Sequence, residues 1–267
     1  MTFRPAQCPT CGGSLQVPDD HATVKCLYCG GAVIVREAIQ AAAAASIPNL
    51  LKLARTAASS QNYQEAYDYF SRVLELDGDN SAAWVGRGEA AGWLTRQTSG
   101  IPEMVNCFRN AIEVATDQSR KDIQEKVADV TCRITRQTFS NMHSDLSPAF
   151  AEEKKWHLYL ESLGILIRTL DTAHNLVPQS TLILRSALFL CENNLGKLKY
   201  INYRTGRKAS RELPPDWDSY IRGRQDYFSK KLFAIDPSAR PIETESTGRS
   251  DGVVTRLKRR ALKIFKE

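Results

Sequence analysis

Apolar and polar positions alternate over short stretches near the N-terminus and then change to a helical rhythm that runs from residue 49 to residue 238. Leu15-Gln16-Val17, Ala22-Thr23-Val24 and residues 32–35 read as three short strands, with Pro18-Asp19-Asp20-His21 as the turn between the first two. From Asn49 the apolar residues fall at Leu50, Leu53, Ala54 and Ala57. After a break at 59–62 they resume at Tyr63, Ala66, Tyr67, Phe70, Val73, Leu74 and Leu76. Spacings of three and four place each set on one face of a helix. Trp84, Gly88 and Ala91, then Met104, Phe108 and Ala111, continue the rhythm. Further helices are predicted over 121–143, within 148–176 (Trp156, Tyr159, Leu163, Leu166 and Leu170 along one side), over 181–195 with Gly196 as a C-terminal cap, and over 216–234. That makes four helix pairs.

The two regimes meet at a segment that belongs to neither. Residues 38–48 contain five consecutive alanines, Ala41 to Ala45, with few apolar anchors. Alanine is the best helix former, so this segment reads as either a short spacer helix or a frayed linker, with Pro48 marking a new start. The expected organisation is a small β domain over 1–37, this linker, a helical body over 49–238, a polar linker over 239–252 and a terminal helix over 253–267.

Candidate chemistry is concentrated in the first domain. Cys8-Pro-Thr-Cys11-Gly and Cys26-Leu-Tyr-Cys29-Gly are two CxxCG knuckles. The two-residue spacing lets both sulfurs of one knuckle reach a single ion, and four thiolates suit a closed tetrahedral site. The glycine after each second cysteine allows a tight turn. The segment resembles a zinc ribbon, which implies a three-stranded β fold and a structural zinc held by Cys8, Cys11, Cys26 and Cys29. A redox CxxC belongs at the start of a helix in an alternating strand–helix pattern, and here both knuckles lie between strands. His21 falls in the turn and reads as a surface residue. The ribbon is electrically neutral, which favours a folding unit or protein-contact module over a nucleic-acid reader.

Residues 49–80 resemble a tetratricopeptide repeat, a helix–turn–helix unit. Ala54 stands at the small position of the first helix, and Ala66, Phe70 and Val73 stand in the second. Gly78 departs from the family's usual proline. Residues 81–117 resemble a second unit more weakly, with a long turn over 95–101. The resemblance implies a mainly α, solenoid-like stack with a groove that carries a peptide or helix of a partner protein. Asn62, Arg87 and Arg109 are the polar candidates for that contact.

Charge changes the picture only in the second half. Residues 196–211 hold Lys197, Lys199, Arg204, Arg207, Lys208 and Arg211 and no acidic residue, with Tyr200 and Tyr203 interleaved. Such a mixture can contact nucleic acid through phosphate attraction and base stacking, although charge runs are more often solvated loops. Residues 253–267 place Val254, Leu257, Ala261, Ile264 and Phe265 opposite Arg256, Lys258, Arg259, Arg260, Lys263 and Lys266. This short basic amphipathic helix can dock on the body or a partner, lie on an anionic membrane surface, or touch nucleic acid.

Composition excludes several classes. Of 267 residues, 42% are hydrophobic and 25% charged, so the chain can build a core and is neither collagenous nor wholly disordered. No apolar run approaches the ~20 residues that cross a bilayer, and the N-terminus lacks a signal-peptide core, so a cytoplasmic address is expected. Phosphate-cradling glycine loops, nucleophile elbows and paired-histidine metal motifs are absent. Glu153, His157 and Glu161 share a helix face but read as a surface charge ladder, and Cys107, Cys132 and Cys191 read as core. The sequence thus points to a non-enzymatic adaptor that binds protein, with zinc as its cofactor and no small-molecule substrate. Nucleic-acid association or membrane-surface scaffolding is the alternative.

Overall fold

The computed structural model describes residues 2–94 and 98–239. The expected terminal helix and nearly all of the linker before it lie outside the described residues.

The N-terminal domain departs from the expected three strands. It contains four, in two separate antiparallel hairpins: β1 (Phe3–Gln7) with β2 (Ser14–Pro18), and β3 (Thr23–Lys25) with β4 (Ala32–Ile34). The unforeseen strand is β1, whose Pro5 cannot donate to a ladder and argues against a strand in the sequence. As the edge of a two-stranded sheet it tolerates that proline, with Pro5 opposite Gln16. Ala6, Leu15, Val17 and Val33 form a small core between the hairpins.

Helix α1 spans Val35–Ser59 without interruption, so the alanine tract is neither a frayed linker nor a separate spacer. Its first turns belong to the ribbon, because Val35 and Ala38 are buried in that domain's core. Its last turns belong to the body, where Ala54 and Ala57 are buried. Pro48 lies inside it. A helical proline deprives the carbonyl four residues earlier of its donor. Both Ala44 and Pro48 are exposed, so water can take that carbonyl.

The body is a two-layer stack of antiparallel helix pairs: α1 with α2 (Tyr63–Leu76), α3 (Ser81–Trp93) with α4 (Ile101–Glu113), α5 (Asp117–Leu146) with α6 (Glu153–Leu176), and α7 (Thr181–Glu192) with α8 (Pro215–Ile235). The odd-numbered helices pack on one another in sequence, α1 on α3, α3 on α5, α5 on α7, and so form one layer. Small residues make this stacking possible. A Cβ on Gly86 would lie 2.2 Å from the Phe70 ring, one on Gly88 2.7 Å from Phe108, and one on Gly92 2.6 Å from Ile134. Helix α3 therefore accepts large side chains from α2, α4 and α5 into notches along its backbone. Of the expected repeat residues, Ala54, Ala66, Phe70, Val73, Gly88, Ala91, Met104, Phe108 and Ala111 are buried, and Trp84 is half-buried.

Side-chain caps fix where several helices begin. The side chains of Asn62, Asn80, Thr116 and Ser180 accept from backbone N–H groups three residues on. Asn80 accepts from Ala83 N–H at 3.0 Å, while Asp77 accepts from Asn80. Asn80→Ala should lower the stability of the body by ~1 kcal/mol in denaturant unfolding, the usual effect of losing an N-cap.

Between α7 and α8 the chain forms a hairpin, β5 (Lys197–Ile201) with β6 (Lys208–Glu212), where a long loop was expected. Leu198 of β5 is buried while Lys197, Lys199 and Ile201 face outward. Gly196, at φ +83°, turns the chain into it.

Candidate metal centre and helical binding face

Each knuckle sits at the tip of one hairpin, and the two have the same backbone. In the first, Cys8 N–H donates to the Gly13 carbonyl at 2.9 Å and Gly12 N–H to the Cys8 carbonyl at 2.8 Å. In the second, Cys26 N–H donates to Gly31 at 2.9 Å and Gly30 N–H to Cys26 at 2.9 Å. Gly12 and Gly30 both have φ +72°, a left-handed turn that glycine adopts freely. Tyr28 lies over Gly13, where a Cβ would meet its ring at 2.5 Å, and so ties one knuckle to the other.

This arrangement brings the four cysteines together. Their sulfurs all lie within 4.8 Å of one another. The shortest separations cross between knuckles: Cys8 to Cys29 at 3.8 Å and Cys11 to Cys26 at 3.7 Å. Four thiolates ~2.3 Å from a tetrahedral ion would stand ~3.8 Å apart, so the cluster has the size of a metal cage. Cys8 and Cys26 are buried, whereas Cys11 and Cys29 are exposed. Backbone dipoles prepare the ligands. The Cys11 N–H, and behind it that of Thr10, holds the Cys8 thiol down at about 6 against burial. The N–H groups of Cys29 and Tyr28 lower Cys26, the latter reaching its sulfur at 3.4 Å. Cys11 receives the Gly13 N–H, yet burial and the sulfurs of Cys8, Cys29 and Cys26 push it up to about 12. Thiolate is the form that binds metal, and the backbone amides favour it at Cys8 and Cys26. His21 is exposed and paired with Asp20 at 2.9 Å, away from ligand duty.

In the body, the odd-numbered layer presents a long side-chain stripe. On α5, Asp122, Lys126, Asp129, Arg133, Gln137 and Ser140 recur at helical spacing, and all are exposed. Arg133 joins α5 to α3 through Glu89 at 2.9 Å, and it also contacts Asp129 at 3.4 Å. Its guanidinium lies 5.9 Å from the Trp93 ring, which stacks on Tyr63 at 5.7 Å. Arg136 extends the stripe to α7, over Phe189 at 5.3 Å. Sequence reading did not single out Arg133, Arg136 or Phe189. Their significance depends on which helices become neighbours, and no local motif records that.

The polar candidates from the sequence do not converge. Asn62 is the N-cap of α2 and donates to Glu65 at 2.7 Å. Arg87 is half-buried between α2 and α4, bonded to the Tyr67 hydroxyl at 2.7 Å and to Glu103 at 3.1 Å. A shallow cavity of about 260 Å³ beside it is lined by Gln64, Tyr67, Leu94 and Glu103, among others. Arg109 is exposed on α4 and donates to Asn106 at 3.4 Å.

No family model matches the sequence, and no curated protein matches it. Among solved structures, a crystal structure of MamA protein aligns with 76% of this chain and 98% of its own, at 8% identity and a TM-score of 0.27. The helix-pair architecture stands on this chain's own packing.

Half of the basic residues of the 196–211 segment are paired with carboxylates where it folds. Lys197 pairs with Glu212 across the hairpin at 3.0 Å, and Arg204 with Glu152 at 2.7 Å. Arg211 pairs with Glu153 and lies 4.8 Å over the Trp156 ring. Lys199, Arg207 and Lys208 face solvent. The tyrosines are equally engaged: Tyr200 packs on Phe150 at 5.6 Å, and the Tyr203 hydroxyl donates to Glu152. His157 pairs with Glu153 at 3.2 Å on the α6 surface. Cys107, Cys132 and Cys191 are buried, and burial raises each thiol to about 11, 11 and 12. No described helix is long and apolar enough to cross a membrane.

Proposed function

We propose that this chain is a non-enzymatic adaptor. Its ribbon holds one structural zinc through Cys8, Cys11, Cys26 and Cys29. Its helical body carries a partner protein along the outward face of α1, α3, α5 and α7. The observation that carries the reading is the exposed stripe of α5, Asp122 to Ser140, which Arg133 joins to α3 through Glu89. Helix-pair stacks use such layers as extended binding surfaces. Four thiolates close a metal site and leave no position for a reacting water, which suits a structural ion. A cytoplasmic address is part of the same proposal, because thiols stay reduced there.

The nucleic-acid alternative is not favoured, since Glu212, Glu152 and Glu153 already engage Lys197, Arg204 and Arg211.

Site-specific photocrosslinking in native lysate tests the adaptor reading. A photoreactive residue at Gln137 is expected to capture a defined protein that survives nuclease. The same residue at Asp226, on the exposed surface of α8, should not. Equal capture at both positions, or none at Gln137, would sink the proposal.

A further inference from the structure

We infer that Arg136 is a carboxylate-binding site and that the partner segment seated there is an acidic peptide. The inference rests on the adaptor reading and names the chemistry of its ligand. The other half-buried arginines each hold a carboxylate within the chain: Arg87 with Glu103, Arg120 with Asp117, Arg211 with Glu153 and Arg224 with Asp171. Arg136 is also half-buried, yet it makes no ion pair among the described residues. Its Nε is buried with no hydrogen-bond acceptor, as is that of Arg87, but Arg87 has Glu103 on its Nη2 and Arg136 has no carboxylate among the described residues. The acidic side chains nearest along the stripe are already committed, because Glu89 and Asp129 both go to Arg133.

The geometry around Arg136 is that of a receptor. Phe189 supports the guanidinium from α7 at 5.3 Å, on one face of its plane. A planar guanidinium held this way binds a carboxylate through two parallel N–H···O bonds. One turn back on α5, the Trp93 ring lies under Arg133, and the Trp93 Nε1–H is likewise buried without an acceptor. An acidic peptide supplies a carboxylate for Arg136 from its side chains. A basic or apolar segment would leave Arg136 unpaired under cover, at the full desolvation cost of a buried charge.

The test uses short fluorescent peptides of Glu, Leu and Ser, amidated at the C-terminus, against versions with every Glu replaced by Gln. Affinity for the full chain is read by anisotropy. The Glu peptides are expected to bind at least about tenfold more tightly than the Gln peptides. Arg136→Gln should erase that preference, and Arg136→Lys, which keeps the charge but not the fork, should recover only part of it. Equal binding of the two peptide sets, or none, would overturn the inference. So would an Arg136→Gln chain that loses thermal stability but keeps the preference, since the guanidinium then only packs. A preference that emerges only after Glu243→Gln and Glu245→Gln would also overturn it, because the chain's own segment would be the occupant. If photocrosslinking at Gln137 succeeds while the peptides show no preference, the adaptor reading stands and this inference alone fails.

Discussion

A Cys26→Ser chain should carry no tightly held zinc, against one ion per chain in the parent. The effect should be the largest of any single change in the molecule, because structural zinc contributes ~10–16 kcal/mol of binding free energy that is also folding free energy. Apart from the ligands Cys8 and Cys26, the buried ribbon core is Ala6, Leu15, Val17 and Val33 with Val35 and Ala38 from α1, too little to hold two short hairpins together. Loss of the ion should therefore release the ribbon, while the body, with a separate and much larger core, stays folded. Elemental analysis gives the metal content. Amide exchange gives the pattern: protection lost over β1 to β4 and the first turns of α1, and retained from α3 onward. A chelator should reproduce the result, and Cys107→Ser, in the body core, should leave zinc in place. A Cys26→Ser chain with a full complement of zinc, or a metal-free ribbon that stays protected, would refute the assignment.

Phe150→Ala should be the most destabilising apolar truncation in the second half of the body. Phe150 follows a 3₁₀ turn, Ser147–Ala149, between α5 and α6 and is fully buried. Its ring meets Trp156 at 4.9 Å, Tyr159 at 4.7 Å, Tyr200 at 5.6 Å and His143 at 6.0 Å, mostly edge to face. Its carbonyl accepts from Arg211. Removing a ring from such a site costs ~3–5 kcal/mol, since the surroundings cannot collapse into the cavity. The hairpin should loosen as well, because Tyr200 and Arg211 are both anchored at this residue. Denaturant unfolding gives the first quantity and amide exchange of 197–212 the second. A loss under ~1 kcal/mol with the hairpin still protected would show that the cluster does not bind α5, α6 and the hairpin into one unit.

Short-range chemistry was legible in the sequence and long-range neighbourhood was not. The knuckles could be read because metal spacing is local: Cys8 and Cys11 must share a turn whatever surrounds them. The helices could be read because Phe70, Phe108 and Trp156 each sit in a strong three-four rhythm. Strand β1 was hidden by Pro5, and β5 by its lysines, although Lys197-Leu198-Lys199-Tyr200 alternates as a strand should. The break expected at Pro48 did not occur because its consequence depends on exposure, which a sequence does not state. The neutralisation of Arg204 and Arg211 was invisible for a similar reason, as Glu152 and Glu153 lie 52 and 58 residues away in the chain.

The continuity of α1 bears on how the two ends of the molecule communicate. One helix serves as the last element of the ribbon and the first of the body, so the ribbon's heading is set by helical phase. Each residue added to the alanine tract would swing the metal-bearing head by ~100° around the helix axis and advance it by ~1.5 Å. An insertion of seven residues would nearly restore the original bearing at a greater reach, whereas two would turn the head to the opposite side. The length of Ala41 to Ala45 thus works as an angular dial between what the ribbon faces and what the helical layer holds.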